Sequence, residues 1–374
     1  MLAAAALLAL SACTSPSPVP RAEVVVPTAP PLAGHDSVVI AWCDPFAARS
    51  VKSPDTKVHV VTVVTQSMTD GARLAERSAT LPDGALVEPL CGQPGTTAAS
   101  ADRQLFDEGF GLIAGTVPGP GGTGTIATAF TLPGGEPVAG QADEGRSPAF
   151  QAGTSVLWYE TSGRQVVSRD LLRPPAAPQA HGTAPGPDFA LADGQVWLTR
   201  PLDSKAEQVV AAPGGTVAAG TGFWRRDTPT ASYGPEYVDP MTIGPSVNGN
   251  PVLPGSERVP ACAPRLWTDA KTLLCNSHDN LLLLGFAADF SRVDTVTPLL
   301  PQEHRFVESA LLSPDGRSLA YLSPASRPAG SEGEQSELYR IDLAPGAQPA
   351  LVGVIPTSKA TRQDAGLPHL IAWQ

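Results

Sequence analysis

One stretch of the chain, residues 311–355, contains four short apolar runs separated by turn signals. The first two runs flank a Ser-Pro-Asp-Gly segment at residues 313–316. Proline presets φ for a turn, aspartate can bond its own backbone, and glycine tolerates a positive φ, so this segment predicts a tight β-hairpin. The other two runs, residues 338–343 and 350–355, flank an Ala-Pro-Gly segment at residues 344–346. The stretch therefore predicts one antiparallel unit of four short strands.

The same unit recurs more faintly elsewhere in the chain. Residues 268–277 match residues 314–323 position by position, with alanine in place of the glycine, and two further apolar runs follow them. Weaker copies occupy residues 147–167 and residues 192–198. Repeats of this length with four strands each are typical of β-propellers. The sequence therefore predicts an all-β protein, a β-propeller of six or seven four-stranded blades.

The two ends of the chain complete each other in this pattern. Residues 367–374 resemble the innermost strand of a repeat, whereas residues 37–42 and 57–63 resemble second and third strands with no first strand before them. Joined, the ends would complete one blade and close the ring, which removes open sheet edges. We expect Ala372 to pair with the strand around Ile40.

The sequence motif Ser-Pro-Asp-Gly-Arg-Ser-Leu-Ala-Tyr at residues 313–321 resembles the repeat of TolB-type β-propellers of the cell envelope. The resemblance covers residues 34–374 as an architecture and is sharp in residues 311–323. It includes the blades alone, since nothing in the chain resembles the N-terminal α/β domain of TolB. The resemblance implies a binding platform for other envelope proteins.

The first twelve residues are almost wholly apolar and run into Leu-Ser-Ala-Cys at residues 10–13. This segment resembles the lipobox of bacterial lipoproteins, in which the cysteine is lipidated and becomes the new N-terminus. The resemblance implies a signal peptide at residues 1–12, lipid attachment at Cys13, and a place at the cell membrane on its extracytoplasmic face. The alternatives are an ordinary cleaved signal or a short buried helix, because twelve residues are too few to span a bilayer.

Residues 13–35 carry the lipidated cysteine and a tether that contains six prolines among alanine, serine and valine. Such a composition stays extended and buries no core, so we place the β-propeller domain at residues 36–374. The formal net charge of −11 has the wrong sign for nucleic acid or for anionic lipid headgroups. Membrane association is therefore expected through the lipid anchor, and no nucleic-acid partner is expected.

Four cysteines remain after Cys13, namely Cys43, Cys91, Cys262 and Cys275. An even number suits two disulfides in an oxidising compartment, and three pairings are possible. We favour Cys43 with Cys91 and Cys262 with Cys275, because the second pair would be close together across one predicted hairpin. Buried free thiols are the alternative.

Motifs that would carry a metal or a cofactor are weak. Cys275 and His278 lack a second pair of ligands of similar spacing, so we expect no metal site. Residues 119–124 have the glycine spacing of a dinucleotide loop, but strand-like residues follow them, which favours a glycine-rich hairpin loop and no cofactor. Asp269 and Asp315 share one repeat position, where we expect them to cap their own hairpins rather than to form a ring of acids.

Trp224, Arg225 and Arg226 lie in a loop-rich segment, residues 222–238, and are the residue types that dominate binding hot spots. The other five tryptophans fall in apolar runs, where we expect them to pack in the core. We expect a lipid-anchored extracytoplasmic module that binds an envelope protein or a cell-wall component, and not an enzyme. The alternative is an envelope hydrolase or lyase with its active site at the mouth of the propeller channel, using carboxylates such as Asp279, Asp289, Glu303 and Glu308.

Overall fold

The computed structural model describes about three fifths of the chain. The described residues are 36–49, 57–88, 90–91, 102–138, 144–151, 153–171, 177–183, 189–192, 195–198, 210–211, 217–220, 223–226, 237–238, 246–247, 250–251, 262–277, 280–288, 293–301, 307, 309–324, 335–344, 346–356 and 368–374. For the strands between residues 189 and 264 the description covers the backbone. The predicted signal peptide, Cys13 and the tether lie outside the described residues.

Within these residues the protein is built from β-strands and two short 3-10 helices, Asp102–Leu105 and Pro120–Gly122. No helix among them is long and apolar enough to cross a bilayer. In chain order the strands are β1 (Ser37–Arg49), β2 (Lys57–Ser67), β3 (Arg73–Thr80), β4 (Leu112–Pro118), β5 (Thr125–Thr131), β6 (Gly145–Phe150), β7 (Val156–Thr161), β8 (Gln165–Asp170), β9 (Gln179–Thr183), β10 (Phe189–Ala192), β11 (Gln195–Leu198), β12 (Val210–Ala211), β13 (Val217–Gly220), β14 (Phe223–Arg226), β15 (Tyr237–Val238), β16 (Ser246–Val247), β17 (Asn250–Pro251), β18 (Cys262–Trp267), β19 (Thr272–Ser277), β20 (Asn280–Phe286), β21 (Val293–Pro298), β22 (Ser309–Leu312), β23 (Ser318–Pro324), β24 (Gln335–Asp342), β25 (Ala350–Pro356) and β26 (His369–Trp373).

The strands form small antiparallel sheets in a β-propeller arrangement, as predicted. Four blades are complete, with strand orders β26-β1-β2-β3, β6-β7-β8-β9, β18-β19-β20-β21 and β22-β23-β24-β25. We call the first the closing blade and the last the repeat blade. A fifth four-stranded sheet, β12-β13-β14-β15, has strands of only two to four residues. Three further sheets have two strands each: β4-β5, β10-β11 and β16-β17.

The predicted number of six or seven blades is wrong for the described residues, which show four complete blades. The predicted number assumed that each repeat length of sequence forms one full blade. Among the described residues, the copy at residues 192–198 lies in the two-stranded hairpin β10-β11, and the strands from β12 to β17 have two to four residues each. A faint repeat in the sequence therefore does not guarantee a full four-stranded blade.

The two ends of the chain pair as predicted. Strand β26 is antiparallel to β1, with Ala372 opposite Val39 and Leu370 opposite Ile40. The Ser37 N–H donates to the Gln374 carbonyl (3.1 Å), and the Gln374 N–H donates to the Ser37 carbonyl (2.8 Å). The closing blade thus takes its first strand from the C-terminus and its other three from the start of the domain.

The turn of the repeat blade shows why its sequence is so recognisable. Ser313 Oγ accepts the Ser318 N–H (2.9 Å) and donates to Asp315 Oδ1 (2.7 Å), which also accepts the Arg317 N–H (3.0 Å). Gly316 has φ +70°, which suits glycine. The hydrogen bond from Ser313 and the bond from the Arg317 backbone lower the pKa of Asp315. Each residue of the motif therefore has a local role in the turn.

Asp269 occupies the equivalent turn between β18 and β19. Its Oδ1 accepts the Lys271 N–H (2.7 Å) and the Thr272 N–H (2.8 Å). The prediction that the repeated aspartates cap their own hairpins is confirmed. The glycine-rich hairpin loop is confirmed as well, since Gly119 and Gly124 close the turn between β4 and β5 with a 3.1 Å backbone hydrogen bond.

The core lies between neighbouring sheets. One cluster joins the closing blade to the repeat blade and includes Val38, Ile40, Leu322 and Leu338. Separate clusters lie between the repeat blade and β18–β21, between β4-β5 and β6–β9, and between the closing blade and β4-β5. Four of the tryptophans expected in the core are buried: Trp42, Trp158, Trp267 and Trp373. The side chain of Trp197 lies outside the described residues.

Candidate functional site

The predicted recognition residues Trp224, Arg225 and Arg226 belong to a strand, not to a loop. They form most of β14, which pairs with β13 through Ala219 and Ala218, and with β15 on its other side. The three residues thus lie on a strand, and most of the segment 222–238 lies outside the described residues. Their side chains lie outside the described residues, so their binding role stays a prediction.

Three large apolar side chains are exposed among the residues whose side chains are described. They are Leu74 on β3 (49% exposed), Leu351 on β25 (56%) and Val354 on β25 (43%). We call this set the edge surface. Strand β3 is the last strand of the closing blade and β25 the last strand of the repeat blade. Each has a strand partner on one side only within its sheet. The outer side of β3 is partly engaged, because Ala79 forms an isolated parallel bridge with Gly134.

The turn between β2 and β3 contacts the backbone of β25 in the repeat blade. A Cβ added to Gly71 would overlap the Val352 carbonyl oxygen, and Gly71 also has φ +70°. A Cβ added to Gly353 would overlap the side-chain nitrogen of Gln66, which itself donates to the Gly71 carbonyl (3.0 Å). Glycine at both positions allows this close backbone approach. Leu74 follows the contact by three residues, and Leu351 directly precedes it.

The same junction carries a charged contact that we call the latch, made of Asp36, Arg340 and Trp373. Asp36 Oδ1 accepts the Trp373 Nε1–H (3.1 Å), and its Oδ2 lies 3.1 Å from Arg340 Nη1. The Arg340 guanidinium lies over the Trp373 ring, 5.4 Å from its centroid. The latch therefore connects the residue before β1, the last strand β26, and β24 of the repeat blade.

A serine and a histidine meet on the β6–β9 blade. Ser168 Oγ lies 2.8 Å from His181 Nε2, and the Trp158 ring packs against the imidazole at a tilt of 31°, with centroids 3.9 Å apart. Burial lowers the pKa of His181, which favours the neutral ring at pH 7. A neutral histidine at this distance could accept a serine proton. Ser168 is only 7% exposed, however, so the pair ties β8 to β9 rather than presenting a nucleophile.

The predicted Cys43–Cys91 disulfide is confirmed, with Cα atoms 5.3 Å apart. It joins β1 to the segment after β3 inside the closing blade. His59 lies beside it. Cys275 is buried and disulfide-bonded. It lies on β19 next to β18, which begins at Cys262, but the side chain of Cys262 lies outside the described residues, so the pairing of these two stays a prediction.

The carboxylates considered for a channel-mouth enzyme, Asp279, Asp289, Glu303 and Glu308, all lie outside the described residues. The edge surface was not predicted from the sequence, which favoured exposed aromatic side chains for a binding protein. Leu351 and Val354 lie in an apolar run that looks like an ordinary core strand, and Leu74 lies in a mostly polar strand. The only sequence signal near them is the pair of glycines at positions 71 and 353.

No protein-family model matches the chain, and no curated protein is similar to it. Similar solved structures include a protein from Lactobacillus plantarum (TM-score 0.40, 12% identity, 86% of this chain and 97% of that chain) and the C-terminal WD40 domain of Sif2 (0.37, 8%, 88% and 89%). Another is the β-propeller domain of Cps50 (Swd1) from Myceliophteria thermophila (0.29, 12%, 80% and 83%). These similarities are too low to carry weight, and the β-propeller assignment rests on the order of the sheets.

Proposed function

We propose that the protein is a lipid-anchored β-propeller on the extracytoplasmic face of the cell membrane, where it binds an envelope protein or a cell-wall component through the edge surface. The single observation that carries the binding role is the exposure of Leu74, Leu351 and Val354 on the outer strands of two neighbouring blades. A single exposed apolar side chain is ordinary on a protein surface. Three on the outer strands of two blades favour a site for a partner.

The position of β3 and β25 as the outer strands of their sheets adds to the case for this surface. An outer strand offers free N–H and C=O groups, and partners commonly bind such edges by adding a strand. The aliphatic side chains would then supply the apolar contacts. The resemblance of residues 311–323 to TolB-type repeats supports the same binding role.

The proposed location outside the cytosol is supported by three features that agree with one another. The lipobox-like segment ends at Cys13, a proline-rich tether follows it, and the domain contains the Cys43–Cys91 disulfide. Disulfides persist in oxidising compartments outside the cytosol. With lipid on Cys13, the acyl chains hold the protein at the membrane without a transmembrane helix.

The binding role is tested by capture of partners from envelope extracts with the full chain and with Leu351→Asp. A matched control is Thr297→Asp, which places the same charge at an exposed position on β21, the outer strand of a different blade. We expect Leu351→Asp to reduce capture about tenfold, a change of roughly 1.4 kcal/mol, because a buried carboxylate would replace an apolar contact. Thr297→Asp should bind like the wild type. Equal capture by both variants would reject the edge surface as the site.

The anchor is tested by Cys13→Ala in cells that receive a labelled fatty acid. The wild type should incorporate the label and sediment with membranes, whereas the variant should do neither. Labelling that persists in Cys13→Ala would show that the lipid is attached elsewhere.

A further inference from the structure

The interior of the closing blade gathers three side chains of the kind that bind zinc. The two sulfur atoms of Cys43 and Cys91 and a ring nitrogen of His59 all lie within 4.8 Å of one another. Thiolate sulfur and imidazole nitrogen are the commonest zinc ligands in proteins. The sequence alone did not indicate this group, because its members are contributed by β1, β2 and the segment after β3.

The strand register explains why the histidine lies beside the disulfide. Cys43 is opposite Val61 in the β1-β2 pairing. His59 precedes Val61 by two residues, and residues two apart in a strand lie on the same face. Cys43, Val61 and Cys91 belong to one buried cluster. The histidine therefore faces the cysteines from the neighbouring strand.

The backbone around the ligands is held by hydrogen bonds. The Cys91 N–H donates to the Val87 carbonyl (2.6 Å), and the His59 carbonyl accepts the Leu81 N–H (2.9 Å). Both cysteines are almost fully buried. A ligand set that is fixed before the metal arrives loses less entropy on binding.

We propose that the closing blade, when its disulfide is reduced, binds one zinc ion through Cys43 Sγ, Cys91 Sγ and a His59 ring nitrogen. Three protein ligands leave a fourth tetrahedral position for water. Two thiolates balance the charge of Zn²⁺, which permits the ion to lie in a buried setting.

The zinc-bound and the disulfide-bonded states exclude each other. A phosphine reductant breaks the S–S bond with one molecule of water, which yields two thiols and the phosphine oxide. Zinc then displaces one proton from each thiol. The sulfur atoms must move apart to roughly 3.8 Å, the spacing in a tetrahedral site with Zn–S bonds of about 2.3 Å. The disulfide-bonded form has no thiolate at either cysteine, so it does not hold the metal.

The test is zinc binding to the full chain by equilibrium dialysis, before and after reduction with a phosphine, with Co²⁺ absorption as a second readout. Cys262 and Cys275 would also give thiols on reduction. The parent chain and all its variants therefore carry Cys262→Ser and Cys275→Ser. We expect one zinc per reduced chain and none per oxidised chain, with thiolate-to-cobalt charge-transfer bands in the reduced form.

Two single substitutions show whether His59 is a zinc ligand or whether the loss of any histidine weakens zinc binding. His59→Ala should weaken zinc binding at least tenfold and still form the Cys43–Cys91 disulfide. His181→Ala, a half-buried histidine on another blade, should bind zinc like the parent. Cys43→Ser with Cys91→Ser should abolish the cobalt bands. Binding that is unchanged in His59→Ala, or absent from the reduced parent, would overturn the proposal.

Discussion

The repeat blade meets its two neighbours in different ways. Towards the closing blade, an aliphatic cluster is accompanied by the latch, in which Asp36 contacts both Arg340 and Trp373. Towards β18–β21, the contact is an aliphatic cluster with Tyr321 stacked on Tyr339, centroids 5.2 Å apart. One junction carries polar contacts between side chains, and the other depends on packing.

The difference follows from what each junction connects. The latch joins residues separated by 337 positions in sequence, whereas at the other junction β21 ends at Pro298 and β22 already begins at Ser309. Bringing distant segments together costs chain entropy, which contacts at the meeting point must offset. The closing junction thus combines strand pairing, packing and directional polar contacts, and the packed junction needs only a well-filled interface.

The largest effect is expected from removing the strand that closes the ring. Deletion of residues 369–374 takes away β26 and leaves β1 paired with β2 alone. We expect the deletion to abolish cooperative thermal unfolding, because the buried edge of β1 would be left unpaired. Circular dichroism during a temperature ramp measures this. Gln374→Ala keeps the backbone pairing and should unfold like the wild type. An intact transition in the deletion would show that closure is dispensable.

A large effect is expected at the packed junction from Tyr321, whose side chain is fully buried. Tyr321→Ala should cost about 3–5 kcal/mol in the free energy of unfolding, the range for removing a large aromatic side chain from a core. The Tyr321 hydroxyl has no hydrogen-bond partner among the described residues. Tyr321→Phe should therefore be close to neutral or stabilising. Urea denaturation distinguishes the two, and equal losses would mean that the hydroxyl, not the ring, holds the junction.

A moderate effect is expected from alkaline pH at the packed junction alone. Burial raises the pKa of both Tyr321 and Tyr339, and a hydrogen bond to Glu337 adds to the shift of Tyr339. The unfolded chain therefore loses the two tyrosine hydroxyl protons more readily than the folded protein does. The free energy of unfolding that the protonated tyrosines contribute is fully present below about pH 10 and is lost as the pH rises further. Tyr321→Phe combined with Tyr339→Phe should flatten the alkaline limb of a stability-versus-pH curve, and Arg340→Ala should leave the limb unchanged.

The smallest effect is expected from the latch. Arg340 and Asp36 are 37% and 41% exposed, so their ion pair is open to water. Arg340→Ala should cost about 0.2–1 kcal/mol, and the loss should shrink in high salt because exposed charges are screened. Chemical denaturation at two salt concentrations measures it. A loss of several kcal/mol that salt does not change would make the latch, rather than strand pairing, the main closure contact.

Much of this architecture could be predicted where the sequence has strong local signals. In the repeat blade, Ser313, Asp315 and Gly316 each satisfy a separate backbone requirement of one turn. The pairing of β26 with β1 was predictable because the two strand-like ends each lacked a neighbour. Local chemistry and an incomplete repeat are both visible in a single sequence.

The remaining features depend on contacts between distant segments. The edge surface arises because the β2–β3 turn meets β25, which lies some 280 residues further along the chain. The position of His59 beside Cys43 depends on the register of β1 and β2, and that register shifts between Asp44 and Ala48. The predicted number of blades was wrong for a related reason, since short strands such as β12 and β15 leave only a faint pattern in the sequence.

The most direct test of ring closure is disulfide crosslinking between β1 and β26. Val39 and Ala372 lie opposite each other, so Val39→Cys with Ala372→Cys should form a crosslink under mild oxidation, found by mass spectrometry of non-reduced digests. Val39→Cys with Leu351→Cys is the control, because Leu351 is exposed on a strand of the neighbouring blade. The account predicts a crosslink in the first pair and none in the second. No crosslink in the first pair, in a folded protein, would contradict closure by the chain ends.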